Sequence, residues 1–235
     1  DLLAAHAAHP WITVWDDHEM MNNTWRAGAE NHDEGEGDFF KRIQAARQAY
    51  HEWMPIRTGP EGDQGAIYRA FHVGDLADLI MLDTRLVGRD EQLDYARGIE
   101  QAGSVAAFIK TDLYNPERQI LGKEQESWLQ QVLQSSKARG ATWQVLGQQV
   151  LMGKLNIPVI PPEELAQLEL SDYARPRVEQ TQQLAPYGLP SNLDAWDGYP
   201  AARERLFAML TAHATNPISL AGDTHNGWAF NLINQ

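Results

Sequence analysis

Two apolar segments near opposite ends of the chain each lead directly into side chains that can bind metal ions. Residues 11–15, WITVW, predict a buried strand that runs into DDHE at 16–19, with two asparagines just beyond. Residues 217–221 predict a second strand, which runs into GDTHN at 222–226. Ligands of open α/β sheets bind at the carboxyl ends of strands, so these two motifs can converge on one point.

Each motif alone has a structural explanation that is equally good. An aspartate after a strand often caps the next helix, and a nearby histidine is often only hydrogen-bonded. Carboxylate, amide and imidazole groups are, however, the ligands that hard or borderline cations take in proteins. The occurrence of two such motifs in one chain without cysteine favours a metal site.

Composition excludes several other classes of site. The chain has 19 basic and 32 acidic residues, a net charge of −13 that disfavours non-specific binding to nucleic acid. The absence of cysteine excludes disulfides, thiolate zinc sites and cysteine nucleophiles within these residues. Apolar runs are too short to predict a membrane span, and no targeting signal is readable.

Between the motifs, predicted strands and helices alternate, which is typical of an α/β fold. Helices are predicted at 39–53, 122–138 and 201–214, and strands at 66–73, 78–83, 141–152, 217–221 and 228–233. The polar stretch 158–200 predicts a long excursion with one helix near 163–170.

The sequence resembles the PhoD-like alkaline phosphatases over nearly its whole length. WDDHE with NNTW in the first motif and GDTHNGW in the second are similar to that family's signatures. Five further segments resemble the family in the same order: AYHEWMPIR, DLADLIMLDTR, LGKEQESWL, WQVLGQQVLM and LDAWDGYPAARER.

The resemblance implies a metallophosphoesterase fold, a sandwich of two mixed β-sheets flanked by α-helices. It also implies cleavage of phosphate mono- or diesters at a multinuclear centre that includes iron and calcium, in the periplasm or outside the cell. The expected partner is a small phosphate ester, which a water activated by the metal ions would attack. A non-catalytic metal- or phosphate-binding module is the alternative.

The same resemblance assigns expected roles to individual residues. Asp17 matches a metal ligand, and His18 matches a catalytic residue that faces the substrate phosphate. The other expected members are the metal ligands Asp16, Asn23, Asp223 and His225 and the substrate contact Asn226.

Arg85 is the expected phosphate clamp, because a planar guanidinium can bind two phosphate oxygens and stabilise charge that develops on them. The alternative for Arg85 is an ion pair with Asp83 that holds a loop. The role of Asp83 itself is left open.

The family also has upstream segments, among them one with a bridging aspartate, that nothing before Asp16 matches. We therefore expect residues 1–235 to be a single metallophosphatase domain, truncated on its N-terminal side and close to its C-terminal side. An upstream segment or a complementary chain would complete the centre.

Overall fold

A four-stranded mixed sheet organises the computed structural model, which describes residues 2–54, 56–57, 66–172 and 174–232. Its strands are β1 (Arg69–Val73), β2 (Ala77–Met81), β3 (Trp143–Gly147) and β4 (Pro217–Leu220), in that spatial order. β1 pairs antiparallel with β2, whereas β2, β3 and β4 are parallel neighbours. The carboxyl ends of these three strands therefore lie at the same edge of the sheet.

The chain also forms helices of very different lengths. They are α1 (Leu2–Ala8), α2 (Phe39–Trp53), α3 (Tyr95–Ala102), α4 (Val105–Phe108), α5 (Gly122–Arg139), α6 (Pro162–Leu165), α7 (Ala174–Leu184) and α8 (Pro200–His213). A π-helical turn, Ile109–Leu113, continues α4. In the described ranges, no helix is both long enough and apolar enough to cross a bilayer.

The main core lies between one face of the sheet and the helices α5 and α8. Alternate residues of β2 and β3, such as Ile80 and Leu146, point into it and are fully buried, as the period of a strand requires. Leu129 and Leu133 of α5 and Leu206 of α8 meet them there. Each such side chain contributes roughly 1.5–3 kcal/mol on burial, so this core fixes the strands whose ends carry the site.

Most predicted elements are confirmed. The helix predicted at 39–53 is α2, and those at 122–138 and 201–214 correspond to α5 and α8. Gly140 ends α5 in the left-handed region, at φ 80°, which glycine adopts without steric cost. The mixed sheet with flanking helices confirms an α/β fold, and the sandwich of two sheets remains a prediction.

The strand predicted at 11–15 is wrong. Those residues form no ladder with any described strand, and Ile12, Thr13 and Val14 instead border a groove beside the sheet. The strand predicted at 228–233 is also absent over 228–232, and Ile233 lies outside the described residues. There, Trp228 and Phe230 stack on each other, with ring centroids 5.7 Å apart.

Candidate metal centre

Three carboxylates from the two motifs meet at the carboxyl edge of the sheet. Ligand oxygens of Asp16, Asp17 and Asp223 all lie within 4.8 Å of one another. They border a cleft of about 400 Å³. The cleft is lined by Asp16, Asp17, His18, Glu19, Asn22, Asn23, Asn192, Asp194, Asp223 and His225.

Arg85 lies beneath these carboxylates and is completely buried, with 0% of its side chain exposed. Its Nε donates to Asp16 at 2.7 Å, and its Nη1 donates to both oxygens of Asp194 at 3.0 and 2.9 Å. Its Nη2 donates to Asp223 at 3.3 Å and lies 3.9 Å from Asp17. One guanidinium thus holds carboxylates from both motifs in a fixed arrangement.

The site holds more negative charge than Arg85 can balance. Burial, together with the charges of Asp16 and other carboxylates, raises the pKa of Asp223 to about 6. Burial also raises the pKa of Asp16, although Arg85 opposes that rise. For Asp194, burial acts in the same direction, but Arg89 and Arg85 outweigh it and lower its pKa. Additional positive charge at the cleft would therefore be stabilised.

Backbone strain is concentrated in the same motifs. Asn23, Asp223 and His225 have φ angles of 48°, 66° and 56°, the positive values recorded for non-glycine residues in the described chain. Asparagine, aspartate and histidine enter the left-handed region more readily than other non-glycine residues, at a cost of order 1–3 kcal/mol when the site is strained. Asn23 is held there by its N–H, which donates to Asp17 at 2.9 Å.

Asp83 fixes the turn that leads from β2 to Arg85. One of its oxygens accepts from the backbone N–H groups of Arg85 and Leu86, at 2.8 and 2.9 Å. The other accepts from the indole of Trp15 at 3.1 Å, which ties the turn to the residue before the first motif. Asp83 therefore braces the loop by hydrogen bonds, and Arg85 forms its ion pairs with other carboxylates.

Comparison with known proteins identifies the family. A model of the PhoD-like phosphatase family matches residues 1–235. The chain belongs to the PhoD-like phosphatase family. It is 37% identical over 235 residues to alkaline phosphatase D of Bacillus subtilis (strain 168), covering 99% of this chain and 34% of that protein. The chain thus spans about a third of the length of this curated relative.

A solved structure supports the same relationship. The structure titled "Structure of PhoD" matches with a TM-score of 0.65 and 34% sequence identity. The match covers 95% of this chain and 36% of that one. Membership of the PhoD-like family therefore rests on both sequence and fold.

The structure brings most of the residues predicted from the PhoD-like resemblance together. Six of them line the cleft: Asp16, Asp17, His18, Asn23, Asp223 and His225. Arg85 lies under the cleft and bonds to its carboxylates, as expected for a group aimed at the same centre. Asn226 does not line the cleft and instead borders a separate cavity with Trp228 and Phe230.

Two charged residues of the site were not among the site residues predicted from the sequence. Asp194, buried in the cleft wall, pairs with Arg85 and with Arg89. Its segment, LDAWDGYPAARER, resembles the family, but a polar loop that leads into a helix at Pro200 is an equally good explanation of this sequence. Arg89, whose guanidinium lies 4.9 Å from the centre of the Tyr199 ring, had no sequence signal.

The donor set fits a hard cation. Carboxylate oxygens that converge within 4.8 Å, on the wall of an open cleft, are the ligands that calcium, magnesium and manganese prefer. His18 and His225, also on the cleft, add imidazole nitrogens that suit iron and zinc. The residues are thus compatible with a metal centre.

Proposed function

We propose that this chain carries a metal-dependent phosphoesterase site that hydrolyses phosphate mono- or diesters. The observation that supports the proposal best is the convergence of Asp16, Asp17 and Asp223 around the buried Arg85, on a cleft open to small molecules. Membership of the PhoD-like phosphatase family supports the same reaction class.

In this proposal, Asp16, Asp17 and Asp223 hold the metal ions, and Asn23 and His225 complete the ligand set. The ions expected from the family are iron and calcium. Such ions would lower the pKa of a water molecule and polarise the phosphoryl oxygens. Asp194 and Arg85 keep the ligand carboxylates in place, since both groups of that pair are buried.

His18 is the candidate for contact with the reacting group. Its side chain is 69% exposed and borders the cleft, so it can approach a bound phosphate or protonate the leaving oxygen. Arg85 serves as phosphate clamp in the same proposal. Its donors now bond to carboxylates, so the clamp would require a phosphate oxygen to replace one of them. Asn226 is also a candidate substrate contact, although it borders a separate cavity and not the cleft.

The proposal extends to the domain organisation, the second sheet and the location of the protein. The site draws on residues from Asp16 to Asp223, which supports a single domain over 1–235. Leu79, Met81 and Val145 border a groove on the face of the sheet that α5 and α8 leave open, and this is where a second sheet would pack. A location in the periplasm or outside the cell follows the family.

The decisive experiment measures hydrolysis of bis(p-nitrophenyl) phosphate and p-nitrophenyl phosphate by the natural polypeptide that contains these residues. Removal of metal with EDTA should abolish turnover, and addition of Ca²⁺ with iron should restore it. Asp223→Asn should lower kcat/KM at least roughly 100-fold, because it removes a ligand charge. The matched control is Asp197→Asn, which changes a buried carboxylate outside the cleft.

Undiminished turnover after exhaustive metal removal would contradict the proposal. So would a loss of equal size in Asp197→Asn. Metal binding without hydrolysis of either ester would instead favour the non-catalytic binding module.

A further inference from the structure

Two buried glutamines lie at opposite ends of β3, and each uses all four hydrogen-bonding positions of its amide. At the carboxyl end, Gln149 accepts from the N–H and hydroxyl of Thr84 at 2.9 and 2.7 Å. Its Nε2 donates to the carbonyls of Trp15 and Leu82 at 2.8 and 3.0 Å. A primary amide offers two donor hydrogens and two acceptor positions, so Gln149 is fully satisfied.

The partners of Gln149 are the residues that introduce the site. Trp15 directly precedes Asp16, and Thr84 directly precedes Arg85. In addition, the backbone carbonyl of Gln149 accepts from the N–H of Gly222 at 2.9 Å, and Gly222 directly precedes Asp223. One residue therefore bonds to all three segments that supply the cluster.

We propose that Gln149 is a positioning residue for the metal centre, setting the relative placement of Asp16, Arg85 and Asp223 through their preceding backbone groups. This inference rests on the proposed function. Gln149 is buried and is not among the residues that line the cleft, so it acts without contact with substrate. Shifts of about 1 Å in ligand placement are enough to impair a site, and partners outside the ligand set typically change affinity or activity 10–100-fold.

Gln144, within β3 near its amino end, provides a matched control. Its Nε2 donates to Ser136 and Ala141 at 2.9 and 3.1 Å, and its Oε1 accepts from the N–H groups of Thr215 and Asn216 at 2.8 and 3.2 Å. Gln144 is as buried as Gln149 and makes the same number of amide hydrogen bonds, but at the edge of the sheet away from the cleft.

The test compares Gln149→Leu with Gln144→Leu in the natural polypeptide that contains these residues. Binding of Mn²⁺ to the metal-stripped protein is followed by electron paramagnetic resonance of the free ion. Hydrolysis of bis(p-nitrophenyl) phosphate is then measured across metal concentrations. We expect Gln149→Leu to weaken Mn²⁺ binding about tenfold and to lower kcat at saturating metal about tenfold or more. Gln144→Leu should keep both within about twofold, although both variants unfold at lower urea concentration.

Thr84→Val, a smaller change, guards against a Gln149 variant that does not fold. It removes the Thr84 hydroxyl bond to Gln149 and should reduce Mn²⁺ affinity and kcat in the same direction, by about two- to fivefold. Wild-type values in Gln149→Leu, or in Thr84→Val where the former does not fold, overturn the positioning role alone. Equal losses in Gln144→Leu overturn it as well. A wild-type protein that neither binds Mn²⁺ nor hydrolyses the ester overturns the proposed function and this inference with it.

Discussion

A buried charged side chain lies near each end of β2, but the sign of its charge and of its neighbours is opposite at the two ends. At its carboxyl end, one buried guanidinium, Arg85, faces carboxylates of Asp16, Asp194 and Asp223. At its amino end, one fully buried carboxylate, Asp78, faces two basic side chains: His72 at 2.6 Å and Arg139 at 2.6 Å.

The pKa values follow this difference. Burial would raise the pKa of Asp78, but hydrogen bonds from Ser136 and His72 and the charge of Arg139 outweigh it and lower the pKa. At the other end, burial and neighbouring carboxylates raise the pKa of Asp223 to about 6. A buried acid with basic partners, such as Asp78, stabilises the fold. An acid surrounded by other carboxylates, such as Asp223, indicates a site where a cation would bind favourably.

Among the substitutions that test the difference between the two ends of β2, Arg85→Lys should have the largest effect. Lysine keeps the positive charge but cannot make the planar, multiply directed contacts, so the carboxylates should lose their arrangement. We expect kcat/KM for bis(p-nitrophenyl) phosphate to fall by about 100-fold or more. The urea midpoint of unfolding should change little by comparison with this loss of turnover. Near-normal turnover in Arg85→Lys would remove Arg85 from the mechanism.

At the amino end, Asp78→Asn should change stability and leave chemistry intact. The substitution removes the charge of a buried carboxylate whose two basic partners are partially exposed, so the loss should be about 1–3 kcal/mol in the free energy of unfolding. Urea unfolding at neutral pH measures that loss, and the ester assay at 25 °C should give kcat within about twofold of wild type. A large loss of kcat would show that the two ends are not independent.

The pH dependence of that stability difference sharpens the assignment. Because the pKa of Asp78 is lowered in the folded chain, its contribution is fully present above the unfolded value, about 3.9, and is lost as the pH falls through the folded value. The gap between wild type and Asp78→Asn should therefore shrink as the pH falls below about 4. A gap that does not shrink below about pH 4 would contradict the assignment of Asp78 as a buried carboxylate with a lowered pKa.

Arg139→Ala should have the smallest effect. The Arg139 side chain is 41% exposed, so solvent and salt screen its pair with Asp78, and His72 remains as a partner. We expect a loss of about 0.5–1 kcal/mol, part of which should disappear in 0.5 M NaCl. Urea unfolding at low and high salt measures it. A loss as large as that of Asp78→Asn would mean that Arg139 alone balances the buried charge.

Sequence patterns predicted the features that depend on residues close together in the chain. The helices predicted at 39–53 and 122–138 depend on neighbours in the chain, and both were found, as α2 and α5. The two motifs were located because each follows an apolar run and offers charged ligands. Residues 11–15 have strand composition but no ladder, because pairing depends on partners elsewhere in the fold.

The features of the site that the sequence did not predict depend on contacts between residues far apart in the chain. Arg85 was predicted as a clamp, but its burial among carboxylates of three separate segments has no signature in the segment DLADLIMLDTR. Arg89 bonds to the backbone carbonyl of Asp194 and Gln149 to that of Leu82, both far away in sequence. Their residue types alone are compatible with any surface position.

The separation of Asp16 and Asp223 along the chain has a consequence for biosynthesis. The three-carboxylate group has no local precursor, since its last member follows β4, which must first pair with β3. During translation, residues near Asp16 leave the ribosome long before Asp223 is made, and long-range parallel pairing is intrinsically slow. In the proposed centre, the complete cluster could therefore hold a cation only after Asp223 has been synthesised and β4 has paired with β3.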